Sequence, residues 1–378
     1  MQKDKLIRLA LWVLAVAAVM AHLVLPFVLP TPVSGDYECF LDPWMRAIQQ
    51  GGGLAALADP FYNYAPAYMY FLVGLSSLVL TSIAYVRLVS AVFDFACAYW
   101  VGRLASHLGA CDAMLRSFAF VPWLPTVLIE SLYWGQCDAI YSSFAIASVY
   151  FILRDRPWTS MLMFGISLAF KAQCIFISPF FFVMMLKRRL AVWHLLAVVA
   201  VYVASVLPVW ACGRPLLDLL RVYASQASFY DRLTMNCPNL YSWFEGLDVN
   251  VSLVRVVGCA VVACLALVMG FRLMRVRLSS VQSVLLALLS AVAVVFLLPG
   301  MHELYLFVGD LLAVAFWIHM QEWRSFAMAA LVVGFSSLSY LLCTSASVFL
   351  WAPAISLLAI ASFVYGVRMF KSLSCAKR

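Results

Sequence analysis

The stretch LALWVLAVAAVMAHLVLPFVLP, Leu9 to Pro30, decides the fold. It carries no formal charge over a length that matches the bilayer core, which an α-helix crosses in about 20 residues. Lys3, Lys5 and Arg8 precede it, the run is long for a signal peptide, and no clear cleavage site follows. It is therefore expected to stay as the first membrane helix. Further apolar runs cover 66 to 82, 85 to 102, 117 to 133, 139 to 153, 157 to 170, 172 to 186, 191 to 211, 251 to 271, 280 to 298, 304 to 318, 325 to 345 and 347 to 367. Hydrophobic residues make up 66% of the chain, charged residues 11%, and mean hydropathy is +0.98, a balance that excludes a water-soluble domain. The expected fold is all-α: a polytopic transmembrane protein of about 11 to 13 helices forming a single integral membrane domain over residues 1–378.

The net charge of +8 does not point to nucleic acid, because the basic residues sit in short clusters at the ends of apolar runs. These lie at Lys3 to Arg8, Arg154 and Arg156, Lys187 to Arg189, Arg272 to Arg277, Arg324, and Arg368 to Arg378. The positive-inside rule makes them cytoplasmic, with a cytoplasmic N-terminus; the short loops suit a bacterial plasma membrane. Two long polar segments, 31–65 and 212–250, are then outer loops. Most acids fall on that side: Asp36, Glu38, Asp42, Asp59, Glu130, Asp138, Asp218, Asp231, Glu245, Asp248 and Glu303. Acids contribute little to orientation, so their concentration asks for another reason. The alternation of sides does not close between 66 and 133. Counting back from Arg154 puts WGQCD (134 to 138) outside, whereas three simple spans after the first loop put it inside. Either a run there is re-entrant or interfacial, or the stretch holding Arg103, Asp112 and Arg116 hides a turn.

Of the eleven cysteines, Cys97, Cys259, Cys264 and Cys343 fall in apolar runs as small hydrophobes, while Cys39, Cys212 and Cys237 in the outer loops are available to pair. The first outer loop carries Asp36 and Glu38 two residues apart. In an extended or turn segment such a pair serves as a general base and a divalent-cation site. Residues Phe40 to Gln49 are expected to form a short interfacial helix anchored by Trp44. WGQCD, FKAQ (170 to 173) and PGMHELY (299 to 305) each put polar groups at the end of an apolar run. Lys171 there must snorkel or meet an anion. His302 with Glu303 is either an interfacial pair or a contact for a phosphate or acceptor hydroxyl. Asp94 and Asp310 lie within apolar runs, Asp94 within reach of Arg87 or Arg103 as partners. In the second loop Arg214, Arg221 and Arg232 stand among Tyr223, Phe229, Tyr230, Tyr241 and Trp243, a mixture suited to a lipid-linked phosphate or a sugar ring. Phosphate-loop, hydrolase-elbow and dinucleotide fingerprints are missing from the sequence.

The order SGDYECF (34 to 40), YNYAPAYMY (62 to 70), LIESLYWGQCDAIYSSF (128 to 144), GISLAFKAQCIFISPF (165 to 180) and LLPGMHELYLF (297 to 307) resembles the bacterial relatives of the glycosylphosphatidylinositol mannosyltransferases, within the GT-C superfamily. The resemblance implies an inverting glycosyltransferase, expected to be a mannosyltransferase. It would move sugar from a polyprenyl-phosphate donor to a lipid- or envelope-linked acceptor on the outer face. It implies Asp36 as catalytic base, with Glu38 at the second acidic position where many relatives have Asp, and the pair as holders of a divalent cation such as Mg or Mn. Asn63, Tyr64, Gln136, Asp138, Lys171, Gln173, His302 and Glu303 match motifs expected to line the donor and acceptor cavity. The rival classes are a secondary transporter, using Asp94 or Asp310 for coupling, and an O-antigen polymerase- or ligase-type enzyme, with its key residues in the late loop.

Overall fold

A computed structural model describes residues 2–30, 36–77, 83–227, 232–343 and 348–375. It is 81% helical. Among the described residues seven helices are long and apolar enough to cross a membrane: Gln2–Val28, Ile83–His107, Val192–Ala211, Val251–Leu273, Ser280–Leu297, Trp323–Leu342 and Trp351–Ser374. An eighth span forms if Ala113–Trp123 and Pro125–Trp134, bent by 53° at Leu124, count as one. The shorter apolar helices Asp138–Leu153, Pro157–Phe170, Ala172–Leu186 and Phe307–Met320, with the 12-residue Pro66–Ser77, account for the remaining runs. Among the described residues each apolar run is thus mainly helical, as backbone in lipid must satisfy its own hydrogen bonds.

The core is built by helices that are buried nearly all round. Asp138–Leu153, Ser280–Leu297 and Phe307–Met320 lie at the centre. Gln2–Val28 and Val251–Leu273 are mostly exposed and apolar, as at a lipid-facing perimeter. Small residues set the close approaches. A Cβ on Gly165 would stand 2.9 Å from the Val198 Cα, so Pro157–Phe170 packs backbone against backbone on Val192–Ala211. Gly165→Ala is expected to lower the melting temperature in detergent, at an overpacking cost of about 1–3 kcal/mol. Gly334→Ala, where an added Cβ meets nothing within 4 Å, should leave it unchanged.

Two ends of the bundle differ in charge. At one, Arg8 pairs with Asp112 at 3.0 Å, Arg189 with Asp155 at 2.8 Å, and Lys187 Nζ donates to the carbonyls of Leu273 and Val276. At the other, Arg87 gathers the ends of two segments: its guanidinium donates to the carbonyls of Leu29 (3.0 Å), Pro30 and Tyr133 (both 2.7 Å). These carbonyls lie where helices end and have no intrahelical partner, so the buried cation is matched to orphan acceptors. Arg87 therefore does not pair with Asp94. Asp94 instead accepts from Ser131 at 2.7 Å and lies 3.5 Å from His22 Nε2, while Asp310 accepts from Ser336 at 2.8 Å.

The same contacts bear on the stretch between 66 and 133. By residue 83 the chain is back at the Arg87 end, where Ile83 lies 3.3 Å from the place a Cβ on Gly135 would occupy. Pro66–Ser77 begins beside Tyr64 and Asn63, and residues 78–82, between it and Ile83, lie outside the described residues. WGQCD shares an end with the first loop, where Gln136 meets Asp36.

Candidate functional site

At that end seven separate stretches of the chain converge on a cavity of about 470 Å³. Asp36 opens a helical turn that runs through Tyr37–Leu41 into Asp42–Gln50. The D-x-E segment, expected to be extended or a turn, is therefore a helical turn, and residues i and i+2 on a helix point apart. Asp36 lines the cavity, whereas Glu38 is exposed and outside its lining. The two carboxylates do not converge on one point, so as a pair they do not fit a cation site, and among the described residues no group of three or more His, Cys, Asp or Glu does. The chemistry below takes no step through a metal.

The short helix after Asp36 is amphipathic, but Trp44 does not anchor at an interface. It is 4% exposed, packs edge-on to Tyr64 at 5.1 Å, and forms part of the cavity wall. Asn63 and Tyr64 follow on the chain that returns to Pro66.

WGQCD reaches the cavity because Gly135, in the left-handed region at φ 69°, ends the preceding helix. Asp138 then opens the next one, where a carboxylate suits the positive helix end. Gln136 Nε2 donates to Asp36 Oδ2 at 3.1 Å. Lys171 stands extended (φ −154°, ψ 138°) between two helices of an apolar hairpin, and its Nζ meets Asp138 Oδ2 at 2.7 Å. The ammonium lies 5.7 Å from the Tyr64 ring centre. It does not snorkel: Lys171 is buried and paired, with its side chain on the cavity surface. Asp138 lies behind it, outside the lining.

On the far wall Pro299–Gly300 turns the chain, and Met301–His302 pairs in parallel with Thr234–Met235. His302 lines the cavity beside Tyr305, with ring centres 5.1 Å apart. Its Nδ1 is 3.9 Å from Glu303 Oε2, and Glu303 is buried away from the lining. Gln173 completes the expected set in the wall.

Burial pushes the Asp36 carboxyl above the usual aspartate range, against the opposing pull of Lys171 and the Gln136 hydrogen bond. Burial also lowers His302 to about 4, with Lys171 adding to the effect. His302 is therefore a neutral imidazole near pH 7, and the positive charge at the site comes from Lys171 and from Arg255, which lines the cavity from Val251–Leu273.

Several of these neighbours were not legible as site residues. Gln226, Arg255 and Tyr305 line the cavity, as does Tyr223, which the sequence already placed among the second-loop aromatics suited to a sugar ring. Gln226 Nε2 donates to the Asn63 carbonyl, which joins the two outer segments. Glu130, read as an outer-loop acid, is instead fully buried in the bent helix next to Asp138. In the second loop, Arg214 stacks on Tyr62 at 4.3 Å, and the Tyr241 hydroxyl and Trp243 Nε1 bond to the Leu297 carbonyl and to Ser356. Arg221 and Arg232 are exposed; Phe229, Tyr230 and Asp231 lie outside the described residues. Cys39, Cys212 and Cys237 are free thiols.

The cavity opens sideways. Ile175, 45% exposed, and the exposed Cys259 belong both to its lining and to the apolar outer surface. A ligand could thus put a charged head beside Lys171 and leave a hydrocarbon tail in lipid. No protein-family model matches the sequence, and no curated protein is significantly similar to it.

Proposed function

We propose that this chain is a membrane glycosyltransferase that moves a sugar, on the family resemblance mannose, from a polyprenyl-phosphate carrier to a lipid- or envelope-linked acceptor with inversion. The observation that carries the reading is the joint placement of Asp36 and Lys171 on one cavity that opens onto the apolar perimeter. The basic end, by the positive-inside rule, faces the cytoplasm, which puts the cavity on the outer face of the plasma membrane.

In this reading Asp36 takes the proton from the acceptor hydroxyl. The freed oxygen attacks the anomeric carbon from the side opposite the phosphate, and the sugar–phosphate C–O bond breaks with its electron pair leaving on the phosphate. Gln136 holds Asp36 Oδ2 and leaves Oδ1 for the acceptor. Lys171 gives one donor to Asp138, and its remaining N–H bonds steady the charge growing on the departing phosphate. The aromatic walls, Trp44, Tyr64 and Tyr305, suit the faces of a sugar ring, and neutral His302 can donate to or accept from a hydroxyl. Asp94 and Asp310 are engaged inside the bundle and away from this cavity, so no separate observation favours coupling residues of a transporter.

Two measurements test this. The product's anomeric configuration, read by NMR, should be opposite to the donor's; retention would exclude a single displacement with Asp36 as base. The rate at subsaturating substrate should fall as pH drops through the raised Asp36 pKa, because only the carboxylate accepts a proton. That acid limb should therefore lie above the ordinary aspartate range, and a limb at or below it would separate Asp36 from the rate.

A further inference from the structure

At the basic end, opposite the cavity, a second cleft of about 590 Å³ lies between two loops nearly ninety positions apart in the chain. Lys187 and Arg189 come from one loop, Arg275 and Arg277 from the other, and Ser279 and Ser280 complete the wall. Membrane orientation needs basic residues in each loop but not their convergence around one space. The convergence is built: Lys187 Nζ donates to the Leu273 and Val276 carbonyls, which ties the second loop to the first. One acid offsets the cluster, Asp155, and it engages Arg189. Arg275 and Arg277 are exposed and have no acid partner among the described residues.

Two further features fit an anion with an apolar tail. Ser279 caps the 18-residue helix Ser280–Leu297, so the positive end of that helix lies at the cleft. The helix bearing the second loop exposes Phe271 and Met274 beside it, apolar surface that hydrocarbon would cover.

We propose that this cleft binds the phosphate headgroup of an anionic phospholipid, with the acyl chains along the exposed face of Val251–Leu273. This site is independent of the transfer reaction. The test is a titration of the purified protein in detergent with phosphatidylglycerol and phosphatidylcholine, read by native mass spectrometry. Wild type should retain phosphatidylglycerol in preference. Each cation near a lipid phosphate is worth about fivefold in affinity, so R275Q/R277Q should weaken phosphatidylglycerol about twenty-five-fold and the single R277Q about fivefold. K3Q/K5Q, the same charge loss at the exposed N-terminus, should change nothing. Equal retention of the two lipids by wild type, or unchanged affinity in R275Q/R277Q, would overturn the proposal. So would displacement of the lipid by inorganic phosphate at matched concentration, which would mark a site for soluble phosphate.

Discussion

Asp36→Asn is expected to abolish glycosyl transfer, by about 10²–10⁴-fold, while the protein remains folded. The amide keeps the size of the carboxyl and its bond with Gln136, since the side-chain oxygen still accepts from Nε2. What is lost is the ability to take a proton, and among the described residues no other carboxylate lines the cavity to replace it. Stability should hold or rise, because a carboxylate whose charge is penalised by burial becomes neutral. Binding of the donor should also survive, since Lys171 and Arg255 are untouched. A variant with wild-type turnover would remove Asp36 from the chemistry; a variant that fails to fold would assign it a structural role instead.

The second large effect is expected at Asp138. Its pair with Lys171 is withdrawn from water, with side-chain exposures of 0% and 8%. Such a pair adds little net stability over an apolar replacement, yet removing one partner leaves an uncompensated charge, at a cost of about 3–5 kcal/mol. Asp138→Asn alone should therefore lower the melting temperature sharply. Adding Lys171→Met removes the orphaned charge and should restore most of the loss. Transfer should stay low in the double variant, by about 10²–10³-fold, because the leaving phosphate no longer meets a cation. Recovered stability with absent activity is the signature of a catalytic lysine held in place by Asp138. Recovery of both would make the pair purely structural.

The membrane helices were readable in advance because lipid leaves few choices: each apolar run must close its own backbone bonds, and each did so to within a few residues at most boundaries. Gln136, Lys171 and His302 could be singled out for the same reason, since a polar group at the end of an apolar run is costly unless used. Side-chain direction was not readable. The D-x-E pair changes meaning with backbone: extended, its carboxylates share a face, and helical, they diverge, as Asp36 and Glu38 do. Trp44 and Asp94 show a related limit. An interfacial tryptophan and a buried one have the same sequence context, and Asp94 found His22 and Ser131 rather than the nearby arginines because helices distant in sequence are adjacent in space.

The most direct test of the central claim is a single reconstitution. Purified protein in sealed vesicles receives labelled polyprenyl-phosphate mannose and an extract of envelope lipids, with wild type and Asp36→Asn side by side. Label should pass from the carrier to an acceptor lipid in the wild type and remain on the carrier in the variant. Counterflow of a solute across the vesicle membrane with no transfer of label in either would contradict the account and mark the chain as a transporter.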